Sequence, residues 1–109
     1  MRWNLMIVEL RTYAIRPGAV KTFLDLYEAG PLEIQRSTLG NLLGYFVTET
    51  GSLNNVVHMW GYADLEDRKR RRDALAADTQ WQKFLAAVFP LLLSQESVML
   101  RPTDFSPIR

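Results

Sequence analysis

Leu42-Leu43-Gly44-Tyr45-Phe46-Val47-Thr48-Glu49-Thr50-Gly51-Ser52-Leu53-Asn54-Asn55-Val56-Val57-His58-Met59-Trp60-Gly61-Tyr62 decides the fold. Two runs of β-formers, 42–50 and 56–62, flank five turn-forming residues, the signature of a hairpin. Upstream, Arg16-Pro17-Gly18 precedes Val20, Phe23, Leu24 and Tyr27 at helical spacing, with Pro17 suited to a first turn. Gly30-Pro31 should break this helix, leaving a second short piece through Ile34 and Leu39 before Gly40. Before it, Leu5 to Ile15 reads as a strand. Downstream, Asp64 and Asp78 offer N-cap side chains, with Glu66 and Asp67 acidic in a first turn. Trp81, Phe84, Leu85, Val88 and Leu92 form one helical stripe, and Pro90 should kink its end. Gln95 to Arg101 is a fourth strand, and the tail after Pro102 is expected to pack through Phe105. The order is therefore βαββαβ, the ferredoxin-like plan of two interlocked split βαβ units. It implies an α+β domain: a four-stranded antiparallel sheet, strands 1 and 3 central, with helices on one face.

The chain's 109 residues suit a single domain spanning 1–109. At 48% hydrophobic and 23% charged it is too apolar for a disordered segment. A net charge of +1 argues against nucleic acid as a partner. Cysteine is absent, which excludes disulfides, thiolate catalysis and Cys-based metal sites, and no metal site is expected. The opening residues do not read as a signal or transit peptide, and no run reaches the roughly 18 apolar residues of a membrane span. The expectation is a cytoplasmic protein without membrane contact.

Alternation divides strand 1 into Val8, Leu10, Thr12, Ala14 against Ile7, Glu9, Arg11, Tyr13. Strand 3 divides into Val57, Met59, Gly61 against Val56, His58, Trp60, Tyr62. The small apolar sets suit packing under helices, with Gly61 where a helix comes close. The larger sets, with Phe46 placed beside them, would then lie on the uncovered face. A face of about 400 Å² is near the upper limit of what a monomer leaves in water. Two copies pairing face to face would enclose a polar-lined cavity between their sheets.

In that cavity, His58, the only histidine, could serve as general acid or base, tuned by Glu9 or Glu96. It could equally be a hydrogen-bonded interface residue or a haem ligand. Arg11 could anchor an acidic or carbonyl group, or simply pair with Glu9 two residues away. Tyr13, Phe46, Trp60 and Tyr62 complete the candidate binding set. Arg68-Lys69-Arg70-Arg71-Arg72, flanked by acidic residues, reads as a solvated helix face with local ion pairs. Gly44-Tyr45-Phe46-Val47 lacks the basic residue and the position of an RNA-recognition strand. Phosphate-loop, HExxH, nucleophile-elbow and EF-hand spacings do not occur.

Several short stretches, taken in order, resemble the NIPSNAP family within the dimeric α+β barrel group. They are Glu9-Leu10-Arg11-Thr12-Tyr13, Pro17-Gly18, Gly44-Tyr45-Phe46 and Gly51-Ser52-Leu53-Asn54. Val57-His58-Met59-Trp60, Asp67-Arg68, Trp81-Gln82-Lys83-Phe84, Gln95-Glu96-Ser97 and Phe105-Ser106-Pro107 follow. Gly61 stands where the family suggests a bulkier residue. The resemblance implies a homodimer, or a higher oligomer, with sheets facing each other. It implies no particular reaction, because related barrels include cofactor-free monooxygenases, isomerases, lyases and haem proteins. Three functions stay open: a small-molecule binding protein with or without acid/base chemistry and no cofactor, a protein-interaction or adaptor module, and a haem-binding or monooxygenase-type barrel.

Overall fold

The computed structural model describes residues 6–109. In chain order the elements are β1 (Ile7–Ile15), α1 (Val20–Glu28), α2 (Pro31–Leu39), β2 (Leu42–Val47) and β3 (Asn55–Tyr62). Then come α3 (Leu65–Ala77), α4 (Thr79–Val88), a 3-10 turn at Phe89–Leu91, and β4 (Leu92–Leu100). Leu5, the expected start of the first strand, lies outside the described residues. The sheet runs β2-β3-β1-β4 with every pairing antiparallel, so the βαββαβ plan holds, each crossover carrying two helices.

Local chemistry sets the boundaries. Pro31 begins α2 at its first turn, where a missing N–H is harmless, and Gly40 ends it at φ +92°. Asp64 accepts from the Asp67 N–H at 2.7 Å and Asp78 from the Trp81 N–H at 2.8 Å, so both expected N-caps are formed. Pro90 falls in the 3-10 turn, so α4 stops at Val88 and Leu92 belongs to β4 rather than to the helical stripe. Leu85, also placed on that stripe, is exposed.

The helices cover the opposite face from the one expected. Phe23 and Tyr27 of α1, Leu39 of α2, Leu75 of α3, and Trp81, Phe84 and Val88 of α4 pack on Ile15, Val56, Trp60 and Tyr62. Glu9 and His58 are buried with them. Register explains the grouping: Glu9 faces Trp60 and Arg11 faces His58 across the β1–β3 pair. The reason the polar set turns inward is charge neutralisation. Arg68 of α3 reaches Glu9, so the carboxylate is paired under the helices rather than left for water.

The other face carries Val8, Leu10, Thr12 and Ala14, opposite Val57, Met59 and Gly61 on β3 and Ser94, Glu96, Val98 and Leu100 on β4. Gly61 is thus not a helix contact. A Cβ there would sit 2.6 Å from both Asn41 Nδ2 and Met6 Sδ, which fill the space. Phe46, opposite Val57, lies on this face and is 56% exposed.

Candidate functional site

Between the helices and the sheet of one chain lies a cavity of about 180 Å³. Sheet residues Arg11, Tyr13, Tyr45 and His58 form its floor, and Phe23 and Tyr27 of α1 form one wall. Trp81, Phe84 and Val88 of α4 close the roof, Gln35 of α2 and Arg72 of α3 project into it, and exposed Leu85 and Phe89 mark the rim. About half of the lining is aromatic. Rings stack in sequence: Tyr27 on Tyr45 at 5.0 Å and Tyr45 on His58 at 4.6 Å, with Tyr13 edge-on to His58 at 4.9 Å.

His58 is held by its own strand. The Trp60 indole Nε1–H donates to His58 Nδ1 at 2.7 Å. An indole only donates, so Nδ1 must be the bare nitrogen, and a neutral imidazole then carries its proton on Nε2. His58 is one of the residues that line the cavity, and its Nε2 is buried with no hydrogen-bond partner among the described residues. Burial first, and then the Arg11 and Arg72 guanidiniums, push the imidazole pKa down to about 3. The neutral form is therefore the working form at pH 7.

Glu9 is the hub beside the cavity. Arg68 grips it through Nε to Oε1 at 3.1 Å and Nη2 to Oε2 at 2.8 Å, a bidentate pair. Arg11 Nη1 donates to Oε2 at 2.8 Å, Ser97 Oγ to Oε2 at 2.5 Å and the Tyr62 hydroxyl to Oε1 at 3.1 Å. Burial alone would raise its pKa, but the bonds from Arg68, Ser97 and Arg11 outweigh that and hold it well below the usual carboxylate range. Tyr62 is pushed up to about 12 by burial and by the Glu9 charge. Arg11 also donates from Nε to the Tyr13 hydroxyl at 3.1 Å.

Of the expected site residues, the structure brings together Glu9, Arg11, Tyr13, His58, Trp60 and Tyr62 on one face. Glu96 and Phe46 are not with them. Glu96 pairs with Thr12 and is exposed, on the sheet face opposite His58. The cavity that Arg11, Tyr13 and His58 line lies between the helices and the sheet of one chain, not on the open sheet face. The basic run divides as well. Lys69 pairs with Asp73, and Arg70 and Arg71 pair with Asp67, as a solvated face would. Arg68 and Arg72 turn inward instead, and Arg72 Nη1 is buried with no partner among the described residues. Spacing could have shown this, because positions 68, 72 and 75 share one helical stripe and Leu75 is core. Gln35, whose Oε1 accepts from the Tyr27 hydroxyl at 2.5 Å, gave no comparable signal.

Among the described residues, no group of three His, Asp or Glu side chains could hold a metal ion, and no helix is long and apolar enough to cross a membrane.

Known proteins with the same pattern are numerous. A NIPSNAP family protein of Agrobacterium tumefaciens is 49% identical, with a TM-score of 0.95 over 100% of this chain and 96% of its own. The NipSnap protein of Drosophila melanogaster is 32% identical over 101 residues, 93% of this chain but 36% of its own length. The chain thus spans little more than a third of that relative. A Nitrosomonas europaea protein assigned as an antibiotic biosynthesis monooxygenase shares the fold at a TM-score of 0.69 and 7% identity, covering 97% of this chain and 98% of its own. The NIPSNAP family model matches residues 8–107, and the chain belongs to the NIPSNAP family.

Proposed function

We propose that this protein binds a small, single-ring organic molecule in the cavity between its helices and its sheet. The observation that carries this reading is the cavity itself: about 180 Å³, rich in aromatic walls, with His58 in its lining and the Nε2 of that residue buried and unpartnered. A buried polar atom without a partner costs about 1–3 kcal/mol, which a ligand can relieve. An engineered apolar cavity of about 150 Å³ accommodates benzene, so the volume suits one ring.

Acid/base chemistry has less support. A general base needs a free lone pair, and His58 has none to spare: Nδ1 accepts from Trp60 and the proton sits on Nε2. Glu9 spends both oxygens on five hydrogen bonds and serves to position Arg11, Arg68 and Tyr62. The residues also do not fit a haem: iron would need the Nε2 lone pair, and the Trp60 bond places the proton there. An adaptor surface built on the basic run is weakened because Lys69, Arg70 and Arg71 are neutralised within their own helix.

The outer sheet face supports a homodimer. Phe46, Val98 and Leu100 are 56%, 48% and 41% exposed there, a flat apolar surface that a second sheet would cover.

Ligand binding is tested by titrating toluene and benzoate into ¹⁵N-labelled protein. Saturable shifts at the Trp60 Nε1–H are expected, and they should vanish in Val88→Phe, which fills the cavity from α4. No saturable shift with either probe would reject the cavity as a binding site.

A further inference from the structure

Resting on the cavity reading above, we infer that its ligand is a single-ring carboxylic acid whose carboxylate accepts hydrogen bonds from His58 Nε2–H and Arg72 Nη1. The two buried, unpartnered side-chain polar atoms among the described residues are those two, and both residues line the cavity. Neither atom can accept. A guanidinium nitrogen is only a donor, and His58 Nε2 is made a donor by the Trp60 bond to Nδ1. A ligand group meeting both must therefore supply acceptor lone pairs, and a carboxylate supplies two oxygens without a proton of its own.

Charge points the same way. Arg11 and Arg72 line the cavity, and the Glu9 carboxylate paired with Arg11 also binds Arg68 outside the lining, so three cations stand against one anion and two positive charges are left over. Glu9 has no oxygen to spare for Arg72, and Asp67 is already taken by Arg70, Arg71 and the Ala63 N–H. One ligand carboxylate would offset part of this excess where water is largely excluded. Protonated His58 would be a poor alternative, since its Nδ1–H would point at the Trp60 N–H. The apolar wall of Phe23, Phe84 and Val88 then takes the ring. The aromatic stripe sets the body of the ligand, and the two donors set its head.

Calorimetric titration with benzoate, benzyl alcohol, benzylamine and toluene separates head from body, because the ring is constant. Benzoate should bind at least tenfold tighter than benzyl alcohol, the scale of one charge-assisted hydrogen bond, and benzylamine should be weakest. Arg72→Met should abolish that preference while toluene binding persists. His58→Asn, which keeps an acceptor for Trp60 but removes the Nε2 donor, should reduce it. Arg72→Gln, which keeps a neutral donor, should retain a partial preference and guards against a folding defect in Arg72→Met. If benzyl alcohol or toluene binds as tightly as benzoate, or if Arg72→Met keeps the preference, the acid assignment is wrong while the cavity stands. If no probe binds the wild-type protein, both readings fall.

Discussion

Lowering the pH from 7 to 5 should cost this fold about 2 kcal/mol through His58 alone. The folded imidazole is pushed down to about 3 from an ordinary value of 6.5, by burial and then by Arg11 of β1 and Arg72 of α3. Glu9 of β1 opposes these only weakly, and the flanking rings of Tyr13 and Tyr45 exclude water. Because the folded value lies below the unfolded one, the unfolded chain takes up the proton first. Stability is therefore complete above pH 6.5 and falls as the pH drops toward 3. Each pH unit in that window is worth about 1.4 kcal/mol, and the rounded onset near 6.5 leaves about 2 kcal/mol between pH 7 and 5. Urea unfolding at pH 7, 6 and 5, at fixed protein concentration, measures this for wild type and His58→Asn. The variant's offset at pH 7 is immaterial, since only the difference in slope is read. A common slope, or an imidazole that titrates near 6.5 by NMR in the folded protein, would refute the reasoning.

The remaining perturbations test the hub and the outer face. Glu9→Gln leaves the partly buried Arg11 and Arg68 without their counter-charge, so it should destabilise by about 3 kcal/mol in urea unfolding, far more than an exposed-pair change such as Asp25→Asn. Val98→Glu places a charge on the apolar outer face without touching the cavity. Sedimentation should show monomer for this variant against dimer for wild type, with the NMR shift of the Trp60 Nε1–H unchanged; a wild-type monomer would contradict the dimer.

Strand alternation in the sequence was enough to group Glu9, Arg11 and Tyr13 with His58, Trp60 and Tyr62, because the period of a strand fixes which side chains share a face. It could not say which face the helices would cover. Polar residues under helices look costly until their partner is known, and the partner of Glu9 is Arg68, 59 positions away in the chain. The same blindness hid Arg72, whose charge placed it with the solvated run although its spacing to Leu75 placed it with the core. The facing of strand β2 was obscured for another reason. Its register shifts between Leu42 and Gly44, so the alternation that puts Tyr45 on His58 and turns Phe46 outward begins only after the irregularity. Helix caps, by contrast, are local chemistry, and Asp64 and Asp78 were legible from their immediate neighbours.

The most direct test of the central claim is a crystal structure grown with 4-bromobenzoate, located by the anomalous signal of its bromine. The bromine should lie among Phe23, Phe84 and Val88, with the carboxylate toward His58 and Arg72. Bromine between paired sheets, against Leu10, Phe46 and Val98, would contradict it.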